Sequence, residues 1–365
     1  MLGVDRRSVQ NFDWMLFGLV SVLIALGVLN LGSSTHAEVG MSDEVRRQLF
    51  ALGLGSAALL FAVVVDYRHF ERLAWPAYLV SMALLGLTLV IAPMTRGSQS
   101  WLLEGRLQPA ELAKIGMVLA LARYFHRNPA GEIRSVRELV KPGCIIALPV
   151  GLIILQRDMG VALLTLLIGS TYLAFVRIPA RAWVAITVVA AAALASIWIF
   201  VLAPYQQDRL LDVVDPTRDP LASGYQVNQS RIAVGSGGLL GKGYREGTQT
   251  QLRFLPTQHT DFAFSVWAEE WGFLGSLFML GIYLALLLWG LLIARNAKDG
   301  FGSMLAVGMV GALFWPAVLN VGMVLGVMPV IGVPLPFISY GGSALVMSLV
   351  AAGLLMNVSL RRWVF

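Results

Sequence analysis

The sequence predicts an all-α polytopic membrane protein of about ten transmembrane helices, with one long structured extracytoplasmic loop between the seventh and eighth. Three observations lead there. Of the 365 residues, 57% are apolar and only 13% charged, and the mean hydropathy is +0.74. Soluble domains carry about a quarter charged residues and need no such apolar surface, whereas a bilayer does. The apolar residues gather into runs long enough to cross about 30 Å of hydrocarbon. The basic residues collect at alternate ends of these runs, as cytoplasmic loops require. Everything reads as one bundle, a single domain over residues 1–365.

Candidate spans lie near residues 14–32, 48–65, 73–93, 109–125, 143–156, 159–176, 182–203, 271–294, 303–327 and 341–360. The fourth, fifth and sixth are short or contain ionisable residues, so hydropathy alone could miss one. The first run follows Asp5, Arg6 and Arg7, but it is long and leads into many others. It reads as a retained span, not a cleaved signal. With the N-terminus inside, the inward loops hold Arg68 and Arg72, then Arg127, Arg134, Arg137 and Lys141 with Arg123 at the edge. Arg177 and Arg181 follow, then Arg295 and Lys298, and finally Arg361 and Arg362. The short outward loops hold only Arg46, Arg47, Arg96, Arg106 and Arg157. Roughly three basic residues face inward for each one in the short outward loops, which predicts a multi-pass chain with both termini cytoplasmic.

The formal charge of +6 does not point to nucleic acid, because the cations are scattered between apolar runs, where they meet anionic membrane lipids. The single cysteine, Cys144, excludes an intramolecular disulfide and reads as a small buried apolar residue.

Residues 204–262 form an outward loop far longer than ordinary connections, and such loops are usually functional or disordered. Tyr205, Tyr225, Tyr244, Phe254 and Leu255 among its glycines and charges argue for order. Its end, FLPTQHTDFAFSVWAEEWGFLG, is the most informative stretch. Asp261 stands where the loop meets the eighth span, beside Phe262 and Phe264. A carboxylate at a water–membrane boundary can take a proton from a sugar hydroxyl. Capping of the following helix, by Asp261 or Thr260, stands level with that reading. Glu269 and Glu270 read as the start of the membrane helix, set against its positive dipole end. His259 has no second His or Cys at metal spacing and reads as a hydrogen-bonded loop residue beside the site.

Glu111 and Lys114, three apart within the fourth span, share a helix face and can pair. Ionisable residues inside a span face the bundle interior or a wet cavity, so a functional role is weighed slightly above a structural ion pair. Asp158, beside Arg157 at the fifth–sixth turn, is a weaker candidate of the same kind. GSGGLLGKG (235–243) fails the P-loop pattern twice, with Ser236 for the first glycine and Gly243 after Lys242. What remains is an amide-rich turn with a cation, suited to a pyrophosphate and equally to a tight re-entrant turn. Arg209, Arg218, Arg231, Lys242, Arg245 and Arg253 make the loop basic, which fits an anionic lipid-linked substrate or a face solvated against lipid headgroups. In GVMPVIGVPLPFISYGGS (326–343), Pro329, Pro334 and Pro336 forbid a regular helix. Broken backbone at membrane depth is tolerated inside protein or along a cavity.

These stretches together resemble the SEDS family (shape, elongation, division and sporulation), its RodA branch more than its FtsW branch. The resemblance runs over nearly all the chain and is carried by LQPAELAK (107–114), QRDMGVALL (156–164), YQVNQSRIAVGSGGLLGKG (225–243), FLPTQHTDFAFSVWAEE (254–270) and PVIGVPLPFISYGGSALV (329–346). GVPLP before ISYGGS, AEE after the aspartate and short termini lean toward RodA. The resemblance implies a peptidoglycan glycosyltransferase that polymerises lipid II and nascent glycan-lipid on the outer leaflet. It also implies a class B penicillin-binding protein, a PBP2-like transpeptidase, as partner within the elongation machinery. The family's essential aspartate falls on Asp261, and its intramembrane Glu and Lys on Glu111 and Lys114. Ala110 stands where the family usually has serine, and Arg157 where proline is common.

The expected mechanism makes Asp261 the general base, with Arg231, Lys242 or Arg245 meeting the charge of the leaving pyrophosphate. Glu111, Lys114, Asp158, His259 and Ser339 of ISYGGS complete the candidate substrate-binding set. A divalent cation, magnesium or manganese, could bridge carboxylate and pyrophosphate, although no protein ligand set identifies it; no nucleotide is expected. A lipid II flippase built on Glu111 and Lys114, the FtsW-type division paralogue, and a scaffold for a penicillin-binding protein are the alternatives.

Overall fold

The computed structural model describes residues 12–35, 41–94, 97–102, 105, 107–128, 136–176, 178–200, 202, 206–208, 211 and 223–362. Among them, one helix takes up each apolar run: α1 Trp14–Ser34, α2 Asp43–Val64, α3 Tyr67–Ile91, α4 Pro109–Arg127, α5 Val136–Leu155, α6 Met159–Ser170 and α7 Ala180–Phe200. Two helices of the long loop follow, α8 Ser223–Ser236 and α9 Thr248–Gln251, and then α10 Ala263–Arg295, α11 Gly300–Val324 and α12 Gly342–Arg361. A turn of 3₁₀ helix, Thr171–Ala174, extends α6. Of the ten helices that take up apolar runs, eight are long and apolar enough to cross a membrane. The two that fall short are α4, which carries Glu111, Lys114, Arg123 and Arg127, and the short α6. Both belong to the runs that composition marks as weak.

Local chemistry sets the helix starts. Asp13, Ser42, Asp158 and Asp299 each accept a backbone N–H of the first turn, as N-cap residues do. The bundle is apolar outside as well as within. Phe50 is 77% exposed, Val90 83% and Phe200 82%, and in α7 Ala182 is the buried residue. Such surfaces are solvated by lipid. Cys144 belongs to this outer surface: it is exposed on α5, not buried as expected, because an apolar residue of a membrane helix faces lipid as readily as core. Helices α2 and α12 pack through small residues; a Cβ on Gly353 would stand 2.8 Å from the Leu59 carbonyl. Close backbone approach of this kind is how membrane helices associate.

Helix α10 is two helices joined at Gly272, whose φ of 65° and ψ of −161° interrupt it. The second piece coincides with the expected eighth span, while the first, Ala263–Trp271, stays with the loop. The glycine motif repairs the break. Phe273 and Leu274 donate their N–H groups to the carbonyls of Gly238 and Leu239, at 2.9 and 3.1 Å, and Lys242 and Gly243 donate to Glu269 and Glu270, both at 3.0 Å. Four exchanged backbone bonds satisfy groups that a broken helix would otherwise leave bare in an apolar setting. GSGGLLGKG is therefore seen in its re-entrant-turn form.

Glu269 and Glu270 consequently end a short helix instead of starting a long one, so the helix dipole does not favour them. Glu269 is fully buried and is compensated by Lys242 Nζ at 2.7 Å and the backbone N–H groups of Gln249 and Thr250 at 2.9 and 3.2 Å. Glu270 accepts a hydrogen bond from the Ser33 hydroxyl.

Candidate functional site

Helices α2, α4, α6, α10 and α12 all begin around one cavity of about 1000 Å³. Five helix N-termini bring their partial positive charge to the same space, an arrangement that favours an anionic ligand. Asp261 and Thr260 line it from the end of the long loop, Glu111 and Gln108 from α4, and Asp158 from the α5–α6 turn. Gly332, Val333, Pro334 and Tyr340 contribute the broken segment, as the three prolines led one to expect. Arg46 and Arg47 form a cationic lip at the start of α2, and Trp101 stands on the α3–α4 connection. Phe50 and Leu54 of α2 with Val346 and Met347 of α12 make an apolar side. Phe50 and Leu54 are exposed, and an exposed apolar wall of a membrane bundle is open to lipid. The space thus joins a polar floor to an apolar flank.

The Asp261 backbone is tied at both ends, its N–H donating to the Thr257 carbonyl at 3.1 Å and its carbonyl accepting from Asn320 Nδ2 at 2.8 Å. The N-cap position of α10 falls to Phe262, with no side-chain cap. Thr260 donates its hydroxyl to the Thr257 carbonyl. Of the two readings left open for Asp261, capping is not the one adopted. Ser265, in the first turn of α10, is engaged with the Ser230 hydroxyl at 2.8 Å.

Glu111 and Lys114 pair at 2.7 Å with side chains 9% and 8% exposed. Glu111 lies between the main cavity and a smaller one of about 40 Å³ that Lys114 also lines. Asp158 caps α6 through Val161 N–H at 3.2 Å and accepts from Gln108 Nε2 at 3.4 Å. Burial pushes the Asp158 carboxyl above its usual value, against the opposing pull of the Val161 N–H, the Ser100 hydroxyl and the Lys114 ammonium.

Other candidates are placed differently. Lys242 is consumed by Glu269 and by the Thr248 hydroxyl, each at 2.7 Å. Arg245 donates to the Gly32 carbonyl at 2.9 Å and covers the Tyr244 ring, and Arg231 packs its chain against Gly326. None of these three lines the cavity that holds Asp261; among the described residues the basic side chains that do are Arg46, itself paired with Asp43 at 2.8 Å, and Arg47. Ser339 is buried, its hydroxyl accepting from the Leu335 N–H at 2.9 Å and its carbonyl from Gln48 Nε2 at 3.2 Å. It shapes the broken segment instead of facing the cavity. His259 accepts the Tyr340 N–H at 2.8 Å through its carbonyl and meets the Tyr340 ring edge-on. Arg209, Arg218 and Tyr205 lie outside the described residues.

Arg46, Arg47 and Trp101 are absent from the residues nominated by sequence. A signal existed for the arginines: in the expected topology, two adjacent cations on the outward side run against the positive-inside rule. Among the described residues, no three His, Cys, Asp or Glu side chains gather to hold a metal ion.

Comparison with known proteins places this geometry in a family. The chain is 36% identical over 354 residues to the peptidoglycan glycosyltransferase MrdB of Escherichia coli K12, covering 96% of this chain and 94% of that one. It superposes with a TM-score of 0.80 and 36% identity on a chain from a peptidoglycan synthase complex described as coordinating polymerization and crosslinking, over 97% of this chain and 99% of that one. The rod shape determining protein RodA of Thermus thermophilus aligns with a TM-score of 0.68 at 32% identity, over 96% and 98%. The cell cycle protein model for FtsW, RodA and SpoVE matches residues 11–363. By full-length sequence match and shared architecture, this multi-pass membrane protein belongs to the FtsW/RodA/SpoVE family, the SEDS family.

Proposed function

We propose that the chain is a peptidoglycan glycosyltransferase that polymerises lipid II on the outer face of the inner membrane. The observation that carries this reading is the Asp261 carboxylate in a cavity with a cationic lip, a polar floor and an apolar flank beside lipid. A lipid-linked pyrophosphoryl saccharide has the matching parts. Its polyprenyl tail follows Phe50, Leu54, Val346 and Met347, its pyrophosphate meets Arg46 and Arg47, and its sugar reaches Asp261.

In this scheme Asp261 takes the proton of the acceptor 4-hydroxyl as that oxygen attacks the anomeric carbon of the growing chain. The new carbon–oxygen bond forms as the bond to pyrophosphate breaks, with inversion to a β-1,4 linkage. Charge accumulating on the departing undecaprenyl pyrophosphate is met by the arginine pair and the assembled helix N-termini. Trp101 offers an aromatic face to a sugar ring. The RodA-like motifs GVPLP and AEE favour the elongation role, with a class B penicillin-binding protein as the transpeptidase partner. A divalent cation shared with the substrate phosphates would supply further charge neutralisation.

Purified full-length chain in detergent, supplied with lipid II, should make glycan strands. Detergent offers no bilayer to cross, so failure to polymerise, combined with lipid II movement in vesicles, would turn the reading to transport. In the same assay, Arg46→Gln with Arg47→Gln should raise the apparent KM for lipid II about 10- to 100-fold, the scale of one or two lost charge-assisted bonds to phosphate. An unchanged KM would detach the pyrophosphate from this lip.

A further inference from the structure

We infer that Asn320 is a positioning residue for the catalytic aspartate, holding the two walls of the site together through one side-chain amide; this rests on the reading of Asp261 as general base. Asn320 lies on α11 and is fully buried. Its Nδ2 donates to two carbonyls, that of Asp261 at 2.8 Å and that of Val333 at 2.7 Å. With oxygens on both sides the amide orientation is settled, since only the NH₂ end can serve two acceptors.

The two residues it joins come from separate parts of the chain. Asp261 closes the long loop, and Val333 belongs to the proline-broken segment. Neither is helical. Both line the cavity. Gly332, the neighbour of Val333, carries φ +66° and sits where an added Cβ would stand 3.9 Å from Asp261 Oδ2. The amide therefore links the backbone that bears the carboxylate to the backbone that faces it. Between buried residues 319, 323 and 324, its own position on α11 is rigid, whereas its two acceptors are irregular backbone. Holding a base to within a fraction of an ångström matters, because a displacement of about 1 Å can cost about 10²-fold in rate.

Other buried amides make similar clips without this geometry. Asn30 donates to the Ala263 carbonyl at 2.8 Å, two residues beyond the aspartate. Asn357 donates to the carbonyls of Ala62, Val63 and Val65 and accepts the Tyr67 N–H. Asn357 lies ten residues beyond Met347, the last residue of α12 that lines the cavity, and these bonds touch no cavity residue. It serves as a matched control for loss of a buried multi-carbonyl clip.

The experiment compares full-length Asn320→Leu, Asn320→Asp, Asn357→Leu and Asp261→Asn in lipid II polymerisation, with melting curves of each. Asn320→Asp is nearly isosteric yet cannot donate to both carbonyls, and it keeps the test open if the leucine variant does not fold. Both changes at 320 should lower kcat about 10- to 100-fold, leave KM within about threefold, and move the acidic limb of the pH–rate profile. Asn357→Leu should lower the melting temperature while leaving kcat and that limb in place. If the folded variants at 320 keep wild-type kcat and pH profile, or if Asn357→Leu loses kcat equally, the positioning role is overturned. If Asp261→Asn polymerises normally, the general-base reading fails and the positioning role fails with it; an inactive Asp261→Asn beside unaffected variants at 320 removes the positioning role alone.

Discussion

Asp261→Asn should abolish glycan synthesis in a protein that still folds, with kcat down by at least about 10²- to 10⁴-fold, the usual contribution of a general base. The substitution is nearly isosteric. It leaves untouched the backbone bonds of residue 261 to Thr257 and Asn320, and no helix cap is lost because Phe262 holds the N-cap position of α10 without side-chain help. What disappears is the capacity to accept a proton. Lipid II binding should survive, since the arginine lip and the apolar flank are unchanged. The measurement is glycan chain formation from lipid II by purified protein, alongside a melting curve and a lipid II binding isotherm. Near-normal polymerisation would mean that the acceptor hydroxyl loses its proton elsewhere, and would end the proposed mechanism.

Lys114→Met should destabilise the bundle by about 3–5 kcal/mol, the cost of leaving one member of a buried ion pair without its partner. The pair is 2.7 Å apart with both side chains over nine-tenths buried, so Glu111 would keep its charge without compensation or take up a proton. Adding Glu111→Gln to Lys114→Met should recover most of that loss, because removing both charges also removes the desolvation they incurred. The difference between single and double variants, read from melting or denaturant curves in detergent, isolates the coupling. Stability and activity should then separate. Glu111 borders the cavity, so the double variant is expected to regain stability but not full polymerisation. A double variant no more stable than Lys114→Met would show that the pair is not coupled, and one with full activity would reduce it to a register pin.

How far composition and motif reach is clearest at particular residues. The order of the spans was legible because each apolar run is local and reports on lipid directly. Even the departures had a visible cause, in the charges of α4 and the brevity of α6. Asp261, Glu111 and Asp158 were legible because ionisable groups beside apolar runs stand out, and they do share one cavity. Lys242 and Arg245 misled for the complementary reason. A cation in a loop looks available until its partner is known, and the partners here, Glu269 and the Gly32 carbonyl, are 27 and 213 residues away. Ser339 misled in the same manner, its hydroxyl being spent on a turn within its own segment.

By itself, then, the amino-acid order determined a membrane bundle, the order of its apolar helices, a proline-broken segment and a carboxylate at the end of a long loop. Hydrophobic length, charge asymmetry and proline geometry act within a few residues and need no partner to be read. Tertiary structure alone decided that five helix starts surround a single cavity, that Arg46 and Arg47 form its lip, that α10 breaks at Gly272 onto the glycine turn, and that Asn320 clips Asp261 to Val333. Each of these joins groups distant along the chain, and which buried donor meets which buried acceptor is settled only when packing in a medium without competing water forces every polar group to find one.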